Sequence, residues 1–589
     1  MKNLLKKLMT VALTVTTALG ASGCAFKKIS YNTSKSQLFV KYYNGGVGRE
    51  WIDDIINQFE TEYAETSFEE GKKGVEVVKD FAKETLSVGK IKNNPNQVHI
   101  CVNTNYYEFA SNNVMLDITD VVKDKALTNK DVAESVTIES KISEDRKNFY
   151  NLGSNGEDKY YALPFFESSM NLVYNVDLFN TNNYYFAKNK SAEGITYNDL
   201  TSYEKIADLF ITDSNEEKSY GPDGKTGTIN GTDYSLDDGL PATYDDFQAL
   251  LTYMKNDKTI PFIWSADTLS YLTCLANEIW ANSEGKEKYA ENFSFRGTAE
   301  NLLELDANGN VCYNEDGSLK VKSETEITPE TAYNLHLQKG KYDAIRFVKM
   351  MMESSYNPAT GSNTYNYYKD SMTGSLKYTA AQDYFINAKD KEGTNNQGIG
   401  FIVEGTWWNN ESKPQYKSEA DRMNKKFAVL PLPKPDKSQI GENNTKISER
   451  ESLMYISKYC EDYAVPIAKA FMKYLQSDRA LNIFSSYTNM LRAMNYNLTD
   501  DTLSKMTYFG KQNYALARSA NTDWIDWLPT SPETKKNKGL MDYLEWGFKT
   551  GNGSNPFSYF YDDPNNTVGS LFTTSYKYYK NTWAVTTVK

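Results

Sequence analysis

Apolar positions along the chain alternate between strand-like and helix-like spacing. Gln37-Leu38-Phe39-Val40-Lys41-Tyr42 reads as a strand, and Asn44-Gly45-Gly46-Val47-Gly48 as the loop after it. Trp51, Ile55, Phe59 and Tyr63 then recur every four residues, with Ile52 and Ile56 beside them, which predicts a helix. A second strand is predicted at Val98–Asn103, so the order strand-loop-helix-strand suggests an α/β lobe with a largely parallel sheet. Further on, Tyr161–Phe166 leads into a strand-like Met170–Asn175. Thr243 and Asp246 open a helix whose apolar face is Phe247, Leu250, Leu251 and Met254, a close variant of a capping box. Asp306–Lys320 is rich in Asn-Gly and Asp-Gly and predicts turns or a hairpin. Gly398–Val403 reads as a strand running into Glu404-Gly405-Thr406-Trp407-Trp408, and Phe427–Leu430 as another before a proline loop. Ala464, Ile467, Ala468, Phe471 and Leu475 mark an amphipathic helix. No internal repeat or long low-complexity linker interrupts the pattern, so the lobes are expected to interleave.

The N-terminus follows a different logic. Lys2, Lys6 and Lys7 precede an apolar stretch from Leu8 to Leu19, and then Ala21-Ser22-Gly23-Cys24. The apolar core is too short to span a bilayer comfortably and suits a signal peptide. Small residues before a cysteine resemble the lipobox of bacterial lipoproteins. That resemblance implies removal of residues 1–23, acylation of Cys24, a tether over 24–36, and a folded part outside the cytoplasm held to the membrane by lipid alone.

At 589 residues the chain exceeds one ordinary core, and two or three lobes are expected. Its formal charge is −12, and loss of a leader with three lysines and no acid leaves −15. An acidic chain of this kind is not a nucleic-acid binder. Aromatic residues make up 14%, including 44 Tyr, so many rings must lie near the surface. With only His99 and His336, a three-histidine zinc site is excluded, and His99 within Val98–Val102 reads as a packed residue. Cys101, Cys274, Cys312 and Cys460 match no metal spacing; disulfides or buried thiols both fit them.

Taken in order, these pieces resemble the extracellular solute-binding proteins of carbohydrate ABC transporters (family 1), the group that includes maltose-binding protein. The resemblance runs from Gln37 to about Asn495. It is carried by the lipobox, Asn44-Gly45-Gly46 and the Trp51 helix. It continues through Leu163-Pro164-Phe165, Leu172–Asn175, Thr243–Phe247, Gly405-Thr406-Trp407, Phe427–Pro433 and the Ala464–Leu475 helix. It implies an α/β, two-lobed periplasmic-binding-protein-like fold with interleaved lobes and a ligand cleft at the hinge. The crossings are placed near Pro164–Asn171 and Pro433–Leu453. The N-terminal lobe is then 37–165 plus 450–488, and the C-terminal lobe 170–435 plus 489–589. It also implies a monomer that delivers an oligosaccharide to the permease subunits of an ABC transporter.

Aromatic faces cover the C–H faces of a sugar, and polar groups satisfy its hydroxyl rim. The candidates for ligand contact are Asn44 and Gly45 after the first strand, and Asn103, Tyr106 and Tyr107 after the second. Glu167 and Asn171 lie at the proposed crossing, and Trp264, Glu404, Trp407 and Trp408 complete the set. Each has a structural alternative: a turn, a salt bridge or plain core packing. No catalytic constellation stands out. A lipid-anchored glycoside hydrolase, which would need paired carboxylates, and a glycan-capturing surface protein without a transporter are the rival readings. Finally, Asp306, Asn308, Asn310, Asn314 and Glu315, with the Cys312 carbonyl, place oxygens at a spacing that suits a structural calcium ion. A plain hairpin is the alternative there.

Overall fold

The computed structural model describes residues 31–84, 86–102, 105–227, 237–357, 362–387, 398–448, 452–526, 547–550, 553 and 555–583. Cys24, Asn103, Trp527 and Trp546 lie outside them.

The first lobe opens with β1 (Ser36–Tyr43), where Leu38, Val40 and Tyr42 are fully buried. Helix α1 (Glu50–Glu62) buries Trp51, Ile52, Ile55, Ile56 and Phe59 on one face, and Glu50 and Asp53 sit in its first turn, where the helix dipole favours acids. Strands β2 (Val75–Ala82) and β3 (Val98–Val102) both pair parallel to β1. Next come α2 (Tyr106–Ser111), α3 (Glu144–Tyr150) and the short β4 (Leu163–Pro164).

The second lobe begins with β5 (Met170–Asn175). Helix α4 (Tyr244–Asn256) starts with the expected box: the Asp246 amide donates to Thr243 Oγ1 and the Thr243 amide to Asp246 Oδ2. Strand β6 (Ile260–Ile263) leads to α5 (Leu269–Glu284), a helix buried from Leu272 onward except at Cys274, and then to α6 (Lys339–Met352). Strand β7 (Ile399–Gly405) is buried throughout and pairs antiparallel to β5 and parallel to β6. A single turn, α7 (Trp408–Glu411), follows, and β8 (Phe427–Val429) closes the sheet in the order β8-β5-β7-β6.

From β9 (Asn444–Ser448) the chain returns to β10 (Ser452–Ile456), which inserts antiparallel between β3 and β4. The first sheet is thus β2-β1-β3-β10-β4. Helices α8 (Ala464–Leu475) and α9 (Asp478–Thr488) cover it. The chain then crosses again to α10 (Tyr508–Ala517), whose Phe509 and Leu516 pack beside Phe427 and Val429 of β8. Strand β11 (Thr522–Asp526) pairs parallel to β9, and α11 (Val568–Thr582) joins the second lobe through Leu571, Phe572 and Tyr576.

Two α/β lobes with interleaved chain are therefore present, as the pattern predicts. One difference concerns the last crossing. The sequence assigns residues from 489 onward to the second lobe, yet Met490, Leu491, Met494, Tyr496 and Leu498 are buried in the first core. Arg492 holds them there. Its guanidinium is fully buried, donates from Nε to the Phe165 carbonyl at 2.5 Å, and lies over Trp51, Phe165 and Phe484.

The crossing is laced by hydrogen bonds. The Glu167 amide donates to the Leu491 carbonyl at 3.0 Å, and Ser452 Oγ to the Phe166 carbonyl at 3.0 Å. Below them Arg146 of α3 donates from Nη1 to Glu167 Oε1 (2.9 Å) and from Nη2 to Asp526 Oδ1 (2.5 Å) and Ser448 Oγ (3.3 Å). One first-lobe side chain thereby grips three passages of chain. Burial opposes the Arg146 charge, but Asp526 and Glu167 outweigh it and hold the guanidinium protonated.

Both histidines are packing residues: His99 stacks on Tyr455 and His336 on Tyr579. Among the described residues no disulfide forms, and Cys101, Cys274, Cys312 and Cys460 are thiols.

Candidate functional site

Two segments at the ends of inner strands meet between the lobes. The loop 44–48 leaves the C-terminal end of β1, and the turn 406–411 leaves the C-terminal end of β7, the position where open α/β sheets hold ligands. Trp407 is half-buried and packs against apolar residues of both the first and the second core. Its ring folds back over Gly405, where an added Cβ would lie 2.3 Å from Cη2. Its other edge meets the first-lobe loop, where a Cβ on Gly46 would lie 2.5 Å from Cδ1. Tyr271, at the start of α5, stands edge-on to the indole with ring centroids 5.5 Å apart.

Polar groups gather on the strand end and turn that carry this ring. Gln382 Nε2 donates to Glu404 Oε1 (3.0 Å) and to Glu411 Oε2 (3.1 Å), so one amide bridges two carboxyl groups. Burial pushes the Glu404 carboxyl up to about 8; Glu411 adds to the shift, and Gln382 opposes it. Burial raises Glu411 too, against the pull of Gln382 and of Lys83 from the first lobe. On the turn itself, Thr406 Oγ1 and Asn410 Oδ1 are buried with no partner among the described residues. Unpaired buried polar atoms are costly, and two on one turn mark a place where water or ligand hydroxyls complete the bonding.

No protein-family model matches the sequence, and no curated protein matches it. Among solved structures the chain is similar to RafE in complex with raffinose, at 14% identity over 93% of this chain and 100% of that one, with a TM-score of 0.47. It is similar to apo RafE from Streptococcus pneumoniae at 13% identity over 94% and 100%, with a TM-score of 0.48. For the Thermus thermophilus maltotriose binding protein bound with maltotriose the figures are 13%, 93%, 100% and 0.43. At such distances, ligand and activity rest on the residues of this chain.

Those residues divide sharply. Trp407 meets the loop that carries Asn44 and Gly45 through Gly46, and all three candidates are half-buried. Glu404 lies beneath, only 3% exposed, with its reach spent on Gln382. Glu167 is held by Arg146, its Oε2 buried and without a partner. Four candidates belong to the cores instead. Trp408 is fully buried against Phe385, Phe427 and Phe509. Trp264 packs on Tyr367 and Phe557, and its Nε1 points at Met372 sulfur. Tyr106 is buried with its hydroxyl on the Tyr150 carbonyl at 2.7 Å. Asn171 is buried and accepts from Lys446 Nζ at 2.7 Å, while Lys446 also pairs with Glu278 of α5 at 2.5 Å. None of these four offers surface to a ligand here. Tyr107 is half-buried, with its hydroxyl donating to the Phe149 carbonyl.

Tyr271, Gln382, Asn410 and Glu411 were not among the sequence candidates. Asn410 carries a local signal, since it stands three residues after Trp407 on the same turn. Glu411 shares that turn; Tyr271 and Gln382 arrive from distant segments and carry none.

The 306–315 oxygens fall on two successive turns. Asp306 Oδ1 accepts the Asn308 and Asn310 amides at 2.8 Å each, closing one turn across the Leu305–Val311 bridge. The Asn314 amide donates to the Ser318 carbonyl in the next, across the Tyr313–Leu319 bridge. The Cys312 carbonyl accepts the Lys320 amide. A donor set split this way does not fit a single calcium coordination sphere.

Proposed function

We propose that this chain is a family 1-type solute-binding protein, lipid-anchored outside the cytoplasm, that captures an oligosaccharide and hands it to the permease subunits of an ABC transporter. The observation that carries this reading is Trp407. It is a half-buried indole that packs against both α/β cores, on a turn where Thr406 Oγ1 and Asn410 Oδ1 are buried without a partner among the described residues. A flat apolar face beside unsatisfied hydrogen-bonding groups is the chemistry that a sugar's C–H face and hydroxyl rim require. Raffinose and maltotriose, present in similar structures, are the first ligands to try. A matching sugar shifts tryptophan fluorescence, and at about 100 times its dissociation constant it stabilises the fold by about 2.7 kcal/mol. If a broad oligosaccharide panel moves neither signal, the carbohydrate reading fails.

Anchoring rests on Ala21-Ser22-Gly23-Cys24. Mass spectrometry is expected to find the mature chain beginning at an acylated Cys24, and Cys24→Ala to release it from membranes. A glycoside hydrolase would need two carboxyl groups at the scissile bond. The carboxyl groups on either side of Trp407 in sequence, Glu404 and Glu411, are bridged by Gln382, and Glu404 is buried, so no turnover is expected.

A further inference from the structure

We infer that the turn Trp407–Asn410 and the loop 44–48 form a clasp that holds the two lobes closed, with Asn410 as its positioning residue. This inference rests on the two-lobed binding reading. Asn410 Nδ2 donates across the junction to the Gly46 carbonyl at 3.0 Å. The fit depends on missing side chains. A Cβ on Gly46 would lie 2.5 Å from Trp407 Cδ1 and 3.0 Å from Cγ. A Cβ on Gly48 would lie 2.8 Å from Asn410 Nδ2, and Gly48 also has a φ of +71°, which other residues adopt only with strain. Two glycines of one lobe are thus shaped to the two ends of a single turn of the other.

The turn is rigid where it matters. The Asn410 backbone amide donates to the Trp407 carbonyl at 3.1 Å, which fixes the backbone that carries both side chains. Trp408 between them is anchored in the second-lobe core. On the facing side, Tyr42 Oη donates to the Gly48 carbonyl at 2.5 Å and receives Trp51 Nε1, which ties the loop to the first core. Lys413 Nζ adds a second inter-lobe bond, to the Tyr487 carbonyl at 3.2 Å. A ligand stacked on Trp407 therefore lies against an indole that already touches the opposite lobe, and occupancy and closure share one contact.

The test begins without any sugar. Small-angle scattering of the full mature chain is compared among wild type, Asn410→Ala, Asn410→Ser and Gly46→Ala. Loss of one net hydrogen bond is expected to move the closed-to-open ratio about 3- to 10-fold toward open in both Asn410 variants. Gly46→Ala, which wedges a methyl against the indole, is expected to move it further. Melting temperatures near wild type for the Asn410 variants establish that they fold. If these folded variants scatter as wild type does, the clasp is overturned. Raffinose and maltotriose titrations then separate the two readings: failure of every protein to bind sugar counts against the proposed ligand, while an unchanged scattering profile counts against the clasp alone.

Discussion

Arg146 and Glu167 meet at 2.9 Å at the point where the chain first leaves the first lobe, with both side chains largely buried. Asp526 and Ser448 reach the same guanidinium from the other passages. Removing the cation would leave two buried carboxylates facing one another across an empty site. Breaking a buried pair by deleting one partner typically costs about 3–5 kcal/mol. Arg146→Ala is therefore expected to lower the unfolding free energy from urea titration by an amount in that range, with a lower midpoint, and Glu167→Gln, which keeps a hydrogen-bonding partner, to cost less. An Arg146→Ala midpoint equal to wild type would show that the network contributes nothing to stability.

Glu404 makes stability depend on pH. Its carboxyl titrates near 4.5 when unfolded and is pushed up to about 8 in the fold, chiefly by burial and then by Glu411. Between those values the native chain keeps a proton that the unfolded chain has released, so stability falls as pH rises from about 4.5 to about 8 and then levels. Glu404→Gln preserves the neutral form and its bond to Gln382. It is expected to be more stable than wild type at pH 8, at about 1.4 kcal/mol for each pK unit of the shift removed, and about equal to it at pH 4. Glu284, also pushed up to about 8 by burial, leaves a residual slope in the variant. Melts at the two pH values test this, and parallel curves for the two proteins would refute it.

Trp407 and Trp408 are expected to separate cleanly. Trp408 is fully buried among Phe385, Phe427 and Phe509, and truncating such a ring costs about 3–5 kcal/mol. Trp407→Ala is expected to cost about 1 kcal/mol in the unliganded melt while weakening sugar binding at least tenfold. If Trp407→Ala destabilises as strongly as Trp408→Ala, the indole is a core residue and not a ligand platform.

That pair also marks how far local pattern reaches. The β1 strand, the α1 stripe and the Thr243–Asp246 box are written in neighbouring residues, so the sequence predicts them nearly to the residue. Trp264, Trp407 and Trp408 all follow a strand and look alike in sequence; distant partners decide between them. Tyr367 and Phe557 enclose Trp264, and Phe509 seals Trp408, whereas Trp407 is left at the junction. Likewise nothing near Arg492 announces a cation inside the first core. Its partners, Phe165 and Trp51, lie hundreds of residues away, and this is why the last crossing falls later than the pattern suggests.

The 306–318 hairpin gives the last expectation. Its oxygens alternate in sequence as in a calcium loop, but Asp306 is spent on the Asn308 and Asn310 amides, and its Oδ2 also accepts Asn310 Nδ2 at 3.2 Å. Those bonds hold the Asp306 carboxyl below its usual range without any ion. Asn314 serves a second turn through Ser318 Oγ at 2.9 Å, and Glu315 follows it there. A calcium ion needs six to eight oxygens around one point, and here a bound ion would have to break at least one turn to gather them. The melting temperature is therefore expected to be unchanged by EGTA and by millimolar calcium. Asp306→Ala is expected to destabilise slightly through the lost turn bonds, equally with and without calcium. A melt that drops by several degrees in EGTA, recovers with calcium, and loses that sensitivity in Asp306→Ala would mean that the hairpin rearranges around an ion.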